Sequence, residues 1–568
     1  MTEKAVNNNK AVKYISVLVL LIAFIIATLT IWGVRYSPTR ERTSLYSYYK
    51  VSGNEAALFV NGERSETDKA ALFDNGHFYI LLSELKSRLD DGYVFDDSEN
   101  ILRYATADQV ISVKKGDSFY TYGRNKEDIG EKIVIIGDGG KPYVAVDFAD
   151  KFTDFSYRTG RKPYRLVIDK AGYKRKTTII SRDTEVRRFG GPKSRILANV
   201  KKGTRAVVVQ SYGKWSQILT NDGILGCVLD STLGEISTRT SGKRLDARKY
   251  NHISMDSKVN LVWHQVTNKT ANSGVDHVLA ADKGINVISP TWFRISDNDG
   301  GLSDIGSLDY VKKCHDKGVQ VWALFSNFEN KDVDSTSVLN HTSSRDNLVN
   351  NMIAKAIAYG LDGINVDFEQ ISTDAKDGYV EFIKELSIKC ENNDLVLSVD
   401  NYSPTASSLH YNRKVQAMYA DYLIVMAYDE HYAGGGEAGS NASISFVKKA
   451  VSESLKEVPK EQLILGMPFY SRIWKNKDGA LSTQTIGMKS VSDYIKSHNA
   501  QETWRDDLGQ NYVEFSDDKA TYQLWVEDQK SLALKLNVMK EKDLAGGAFW
   551  KEGLEDDSIW DIIGKYME

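Results

Sequence analysis

Eight residues, Asp362-Gly363-Ile364-Asn365-Val366-Asp367-Phe368-Glu369, constrain the fold of this chain more than any other stretch. Ile364, Val366 and Phe368 alternate with Gly363, Asn365, Asp367 and Glu369, the period of a β-strand. Successive side chains on a strand point to opposite faces, so one face is apolar and the other aligns an amide with two carboxyls. A strand that must hide both faces belongs in a closed or covered sheet. In a parallel barrel the apolar residues meet the surrounding helices and the polar row meets the axis. Glu369 then ends the strand on the face where such barrels carry out chemistry.

The rest of the C-terminal half fits that setting. From about residue 257, apolar strands alternate with helical stretches, the pattern of a βα barrel. The candidate strands are Val259–Val266, Ile285–Phe293, Gln320–Leu324, Gly363–Glu369, Leu395–Val399, Tyr422–Ala427, Gln462–Pro468 and Gly546–Trp550. A barrel needs roughly 250 residues, so the surplus length is predicted to be an insertion between strands seven and eight, at 471–540.

At 568 residues the chain is long enough for several folded units. The N-terminal stretch Tyr14–Val34 carries no charge, and its 21 residues would rise about 31 Å as a helix, enough to cross a bilayer core. It is read as an uncleaved transmembrane anchor, with 1–13 as a cytoplasmic tail. A cleavable signal peptide is the alternative. Lys4, Lys10 and Lys13 precede the span while Arg35, Arg40 and Arg42 follow it, so charge does not settle its orientation. Either reading places the remainder outside the cytoplasm.

Residues 35–54 read as a linker. Residues 55–172 read as an α+β module: short β runs broken by turns such as Asn61-Gly62, with a helical patch from Leu81 to Leu89. That module loosely resembles the N-terminal domain of copper amine oxidases, without implying copper. It contains His77 but no His-x-His pair, so its spacing suggests no metal site. Residues 173–236, with Gly213-Lys214-Trp215 and Asp222-Gly223-Ile224-Leu225-Gly226, resemble the bacterial SH3-like domains of wall-associated hydrolases. Trp215 is read there as core, and 237–256 as a second linker.

Net charge is −3 and no basic stretch is sustained, which argues against nucleic acid as a partner. Cys227, Cys314 and Cys390 show neither metal-ligand nor disulfide spacing and are expected to be small buried thiols.

Three motifs across 257–568 together resemble family 18 glycoside hydrolases. Asp362 to Glu369 fits that family's Asp-x-x-Asp-x-Asp-x-Glu except at Asn365, where Asp is usual. Met426-Ala427-Tyr428-Asp429 on the sixth strand fits Met-x-Tyr-Asp, and Trp550 fits the tryptophan that floors the sugar subsite. Within the family the chain looks most similar to bacterial peptidoglycan and spore-germination glucosaminidases, which share the Asn-for-Asp change and a stretch like Leu524-Trp525-Val526-Glu527-Asp528 with Ser531 and Lys535.

The resemblance implies a retaining reaction in which the substrate's own 2-acetamido oxygen is the nucleophile, the family's recognised exception to two-carboxylate catalysis. Glu369 is then the proton donor, Asp367 orients and charge-stabilises the acetamide, and Tyr428 hydrogen-bonds its carbonyl. Asn365, Met426, Asp429, Trp550, Tyr470 and Trp292 are expected to shape the sugar site. Asn365 cannot ionise, so a narrower or shifted pH profile is expected. The implied ligand is an N-acetylated glycan of the bacterial cell wall, with chitin oligomers as the nearest alternative. A lectin-like wall-binding protein without activity is the competing class. No metal or organic cofactor is called for.

Overall fold

The computed structural model describes residues 2–242, 244–281, 284–517 and 519–567. Two compact units divide the chain. One comprises residues 1–93, 113–120 and 126–247, and the other residues 94–112, 121–125 and 248–568.

The second unit holds the barrel. Its eight parallel strands are β1 (Val259–His264), β2 (Val287–Pro290), β3 (Gln320–Ser326), β4 (Gly363–Asp367), β5 (Val396–Tyr402), β6 (Tyr422–Met426), β7 (Leu463–Pro468) and β8 (Gly546–Trp550). Each strand pairs with the next, and Val259–Val262 of β1 pairs with Gly546–Phe549 of β8, closing the ring. The helices following the strands in turn are α1 (Val275–Ala281), α2 (Leu308–His315), α3 (Thr342–Tyr359), α4 (Lys376–Glu391), α5 (Arg413–Tyr419), α6 (Ile444–Ser454), α7 (Gln529–Glu541) and α8 (Ile559–Met567).

Strand parity sorts the side chains into two cores. Leu261, Trp263, Val287, Trp322, Leu324, Val396, Tyr422, Ile424, Ile464 and Ala548 fill the barrel interior. Their neighbours Val262, Ile288, Val321, Ile364, Val366, Leu397, Val399, Leu423, Val425 and Phe549 pack outward against the helices. Phe368 continues the outward row and stacks on Phe382 of α4, ring centroids 5.0 Å apart. Gly363 is required inside the ring, because a Cβ there would lie 2.8 Å from the Trp322 indole and 2.8 Å from the Val396 carbonyl oxygen.

Between β7 and β8 the chain makes a five-stranded antiparallel sheet. Its strands run in the order Ala480–Gly487, Tyr470–Lys477, Thr521–Val526, Gln510–Ser516 and Glu502–Arg505, beside a helix at Met488–Ser497.

Residues 94–112, expected within an N-terminal module, group instead with the barrel. The Thr342 N–H donates to Asp96 Oδ2 at 2.7 Å, Arg103 pairs with Asp346, and Tyr419 Oη donates to the Ala105 carbonyl at 3.2 Å. These partners lie some 240 to 310 residues away in sequence, which is why local composition gave no sign of them.

The first unit begins with the helix Thr2–Tyr36. Its segment Lys10–Tyr36 is long and apolar enough to cross a membrane, a property that signal sequences share. A mixed sheet then runs in the order Val134–Ile136, Pro142–Ala145, His77–Leu81, Ala71–Asp74, Glu55–Val60, Tyr164–Lys170 and Phe155–Gly160. Short helices at Leu82–Arg88 and Val146–Phe152 accompany it. Asn61 and Gly62 both take positive φ, as a two-residue hairpin turn requires. An antiparallel seven-stranded sheet follows over 174–240, with Trp215 half-buried on one of its strands. Cys227, Cys314 and Cys390 are all buried and unpaired.

Candidate active site

The inward positions of β4 and β5 converge at the C-terminal mouth of the barrel. Asn365 is fully buried, and all its hydrogen-bonding directions are taken. Its Oδ1 accepts from Trp263 Nε1 at 2.9 Å and Ser289 Oγ at 3.1 Å. Its Nδ2 donates to Ser398 Oγ at 3.1 Å and Asp400 Oδ1 at 2.8 Å. The two donors on one side and Asp400 on the other fix which way the amide points. An aspartate at 365 would set two carboxyls against each other unless one of them kept a proton.

One step toward the mouth, Asp367 is 6% exposed, and its Oδ1 is buried without a hydrogen-bond partner. Burial, together with the nearby Asp400, Glu369 and Glu329 carboxylates, holds Asp367 well above the usual carboxylate range. Asp400 is raised as well, by burial and by Glu369, against the lowering effect of the Asn365 amide.

Glu369 stands at the rim, half-buried. Tyr402 Oη donates to its Oε2 at 2.7 Å, and Asn327 clamps its backbone, accepting from the Glu369 N–H at 2.8 Å and donating to its carbonyl at 3.0 Å. Burial raises the Glu369 pKa, the Tyr402 hydrogen bond opposes that rise, and Asp429 and Glu329 add to it. The carboxyl is therefore protonated at a higher pH than a free glutamic acid, while its backbone is immobilised.

The opposite wall comes from β6 and the residues just beyond its end. Met426 and Tyr428 share the inward parity of Tyr422 and Ile424, and both are half-buried. Asp429 turns the chain at φ +56° and is exposed. Its Oδ1 accepts from Tyr470 Oη at 2.6 Å and Arg472 Nη2 at 2.5 Å. Tyr428 lies edge-on to Tyr470, centroids 6.5 Å apart. Trp550, half-buried at the end of β8, packs edge-on against Trp263 at 5.8 Å, so the indole that orients Asn365 also supports Trp550.

Glu369, Asp367, Asn365, Tyr428, Met426, Asp429, Tyr470 and Trp550 thus gather at one end of the barrel. Trp292 does not join them. It is 1% exposed, donates from Nε1 to Asn272 Oδ1 at 2.8 Å and packs edge-on against Tyr310. Its parity matches Ile288, which faces the helices, whereas Ser289 faces the axis. The expectation that Trp292 shapes a sugar site is corrected: it is core. His264 is also outward, bonded to Tyr310 Oη at 2.8 Å, and burial lowers its pKa.

Sequence reasoning missed Asp400, Tyr402, Trp263 and Glu329. For the first two the signal was present. Ser398, Asp400 and Tyr402 alternate with Leu397 and Val399 just as Asn365, Asp367 and Glu369 alternate with Val366 and Phe368.

The arrangement can supply acid catalysis: a carboxyl with a raised pKa stands at the rim, with further carboxyls and tyrosines beside it. The family model described as "Glycosyl hydrolases family 18" matches residues 248–555, and the chain belongs to this family. The "Uncharacterized glycosylase YvbX" of Bacillus subtilis is 27% identical over 296 residues, covering 50% of this chain and 84% of its own. The cortical fragment-lytic enzyme of Bacillus anthracis is 24% identical over 253 residues, 42% of this chain and 58% of that enzyme. The chain therefore spans less than two thirds of the latter relative. Among solved structures, the Bacillus cereus spore cortex-lytic enzyme SleL superposes with a TM-score of 0.51 at 18% identity, covering 58% of this chain and 78% of that one. At that identity the likeness is one of fold.

Proposed function

We propose that this glycoside hydrolase cleaves β-1,4 bonds beside N-acetylglucosamine in peptidoglycan by substrate-assisted, retaining catalysis. Glu369 gives its proton to the leaving glycosidic oxygen. The substrate's acetamide oxygen attacks the anomeric carbon from the face opposite the leaving group, forming an oxazolinium ion. Water, giving its proton to the Glu369 carboxylate, then opens that ion from the face the leaving group vacated, so the configuration is retained. Asp367 accepts a hydrogen bond from the acetamide N–H and balances the developing positive charge, while Tyr428 donates to the acetamide oxygen. Asp429, Tyr470, Met426 and Trp550 hold the sugar.

The observation that carries this reading is the buried Oδ1 of Asp367, which has no hydrogen-bond partner beside a glutamic acid with a raised pKa. A buried polar atom without a partner is costly, and an amide donor brought by the substrate would satisfy it.

Peptidoglycan is favoured because relatives include enzymes named for fragments of the spore cortex. The N-terminal helix, read as a membrane anchor, and the 174–240 sheet, read as an SH3-like wall-associated module, fit the same polymer. Chitin oligomers are the second substrate class, supported by the similarity to a probable endochitinase of Caenorhabditis elegans, 24% identical over 250 residues.

The test is to incubate the full-length protein separately with peptidoglycan and with chitin oligosaccharides, then analyse the fragments by mass. New N-acetylglucosamine reducing ends from peptidoglycan support the reading. Muramic acid reducing ends, or cleavage of chitin alone, overturn the assigned bond or polymer. Binding to peptidoglycan without any new ends would instead favour a lectin-like role.

A further inference from the structure

The first unit contains a cluster that the barrel chemistry does not use. His77 opens the strand His77–Leu81, Glu131 lies in the loop before Val134–Ile136, and Asp147 sits in the first turn of the helix Val146–Phe152. One ligand atom from each of the three lies within 4.8 Å of the other two. His77 Nδ1 is 2.6 Å from Glu131 Oε2 and 3.8 Å from Asp147 Oδ2.

Three observations distinguish this cluster from an ordinary surface ion pair. Glu131 is 7% exposed, and its Oε2 has no hydrogen-bond partner despite the imidazole nitrogen beside it. The buried carboxylate oxygen and the imidazole nitrogen thus stand side by side with no hydrogen bond between them. Second, the ligand-bearing segments are fixed by their neighbours. Tyr79, two residues along from His77 on the same strand, donates from Oη to the Lys132 carbonyl at 2.9 Å and so pins the loop that carries Glu131. The Ala145 N–H donates to the Ile133 carbonyl at 2.8 Å, tying that loop to the start of the Asp147 helix. Tyr157 Oη donates to Asp147 Oδ1, leaving Oδ2 toward the cluster. Third, exposure is graded: the Glu131 side chain is 3% exposed, against 38% for His77 and 51% for Asp147. The cluster thus has a closed floor and a side open to water.

We propose that His77, Glu131 and Asp147 bind one divalent first-row transition-metal ion, with zinc as the best match. Imidazole nitrogen and carboxylate oxygen are both zinc ligands, and zinc sites with three protein ligands complete their shell with water. Around a tetrahedral ion with bonds of about 2.0–2.1 Å, ligand atoms stand about 3.3–3.4 Å apart, between the two separations observed. The imidazole nitrogen makes calcium and magnesium, which prefer all-oxygen shells, the poorer fit. The ligands come from three separate segments, so the absence of a His-x-His pair in the sequence carried no information about them. Bound there, the ion would staple the strand, the loop and the helix together.

Chelator-stripped full-length protein in detergent, titrated with zinc chloride in a calorimeter, tests the proposal. It expects one saturable equivalent and a higher unfolding midpoint for the first unit on saturation. His77→Ala and Asp147→Asn should each weaken binding at least tenfold. These two side chains are partly exposed, so the variants are expected to fold, and Asp138→Asn, an exposed acid of the same unit paired with Lys69, should leave binding unchanged. No one-to-one zinc uptake, or uptake that survives both His77→Ala and Asp147→Asn, overturns the site. Tighter binding of calcium than of zinc would overturn the assigned ion class.

Discussion

Two groups of buried charge in the barrel unit are built on opposite principles. In the helix layer, Arg345 of α3 clasps Glu385 of α4 through Nε at 2.8 Å and Nη2 at 3.2 Å, and its Nη1 donates to the Leu339 carbonyl at 2.7 Å. Arg103 approaches the same carboxylate at 4.0 Å, so charge there is matched by charge. At the barrel mouth, Asp367, Asp400 and Glu369 crowd together, and among the described residues no ion pair reaches any of them. The first group holds the helices in register. The second makes buried carboxyls share protons, because they cannot all ionise side by side, and that crowding costs stability.

The largest effect is expected at the matched pair. Glu385→Ala leaves the Arg345 guanidinium buried without its partner and should lower stability by about 3–5 kcal/mol, read by chemical denaturation. If Glu385→Ala cost under about 1 kcal/mol, the contrast between the two groups would not hold. At the mouth, Asp367→Asn should lower kcat by about 10²-fold, the scale of losing one preorganised electrostatic group, as measured on peptidoglycan fragments.

The same variant should differ in stability with the opposite sign. A carboxyl whose pKa is higher in the folded than in the unfolded chain binds its proton more tightly when folded. Stability is then lost as pH rises from the unfolded value, about 4, through the folded one. Asp367→Asn removes that loss, so its unfolding midpoint at pH 7 should exceed the parent's by about 2–4 °C, with no gain near pH 4. A midpoint difference independent of pH would contradict the pKa shift.

Much of the fold was legible because the barrel repeats one rule. Each strand announces itself by a short apolar run, and β4 adds a period-two polar row that only a closed, helix-covered sheet can bury. Where parity was applied, it placed Asn365, Asp367 and Glu369 correctly. Where proximity to a strand end replaced it, the reading failed. Trp292 lies two residues beyond the end of β2, and the register it shares with Ile288 sends its indole outward. The Asp400 and Tyr402 row has the same period but belongs to no motif that would single it out. The grouping of 94–112 with the barrel depends on Asp96 and Arg103 finding partners far along the chain, which no local pattern encodes.

The smaller effects sharpen the site itself. Trp292→Phe removes one hydrogen bond and some packing, and should cost about 1–2 kcal/mol of stability while leaving KM unchanged. A raised KM with intact stability would restore it as a sugar contact. Asn365→Asp should shift the pH–rate curve, because the new carboxyl must share a proton with Asp400 across the 2.8 Å contact that the amide now spans. A curve that overlays the parent's would show that the amide has no part in setting the proton inventory.

The most direct measurement is made on one preparation of Glu369→Gln, comparing kcat/KM on peptidoglycan and the thermal midpoint at pH 7 with the parent. If Glu369 is a proton donor held among unbalanced acids, activity falls by about 10³-fold while the midpoint stays level or rises. Activity within a few-fold of the parent, or a loss matched by a fallen midpoint, would contradict that account.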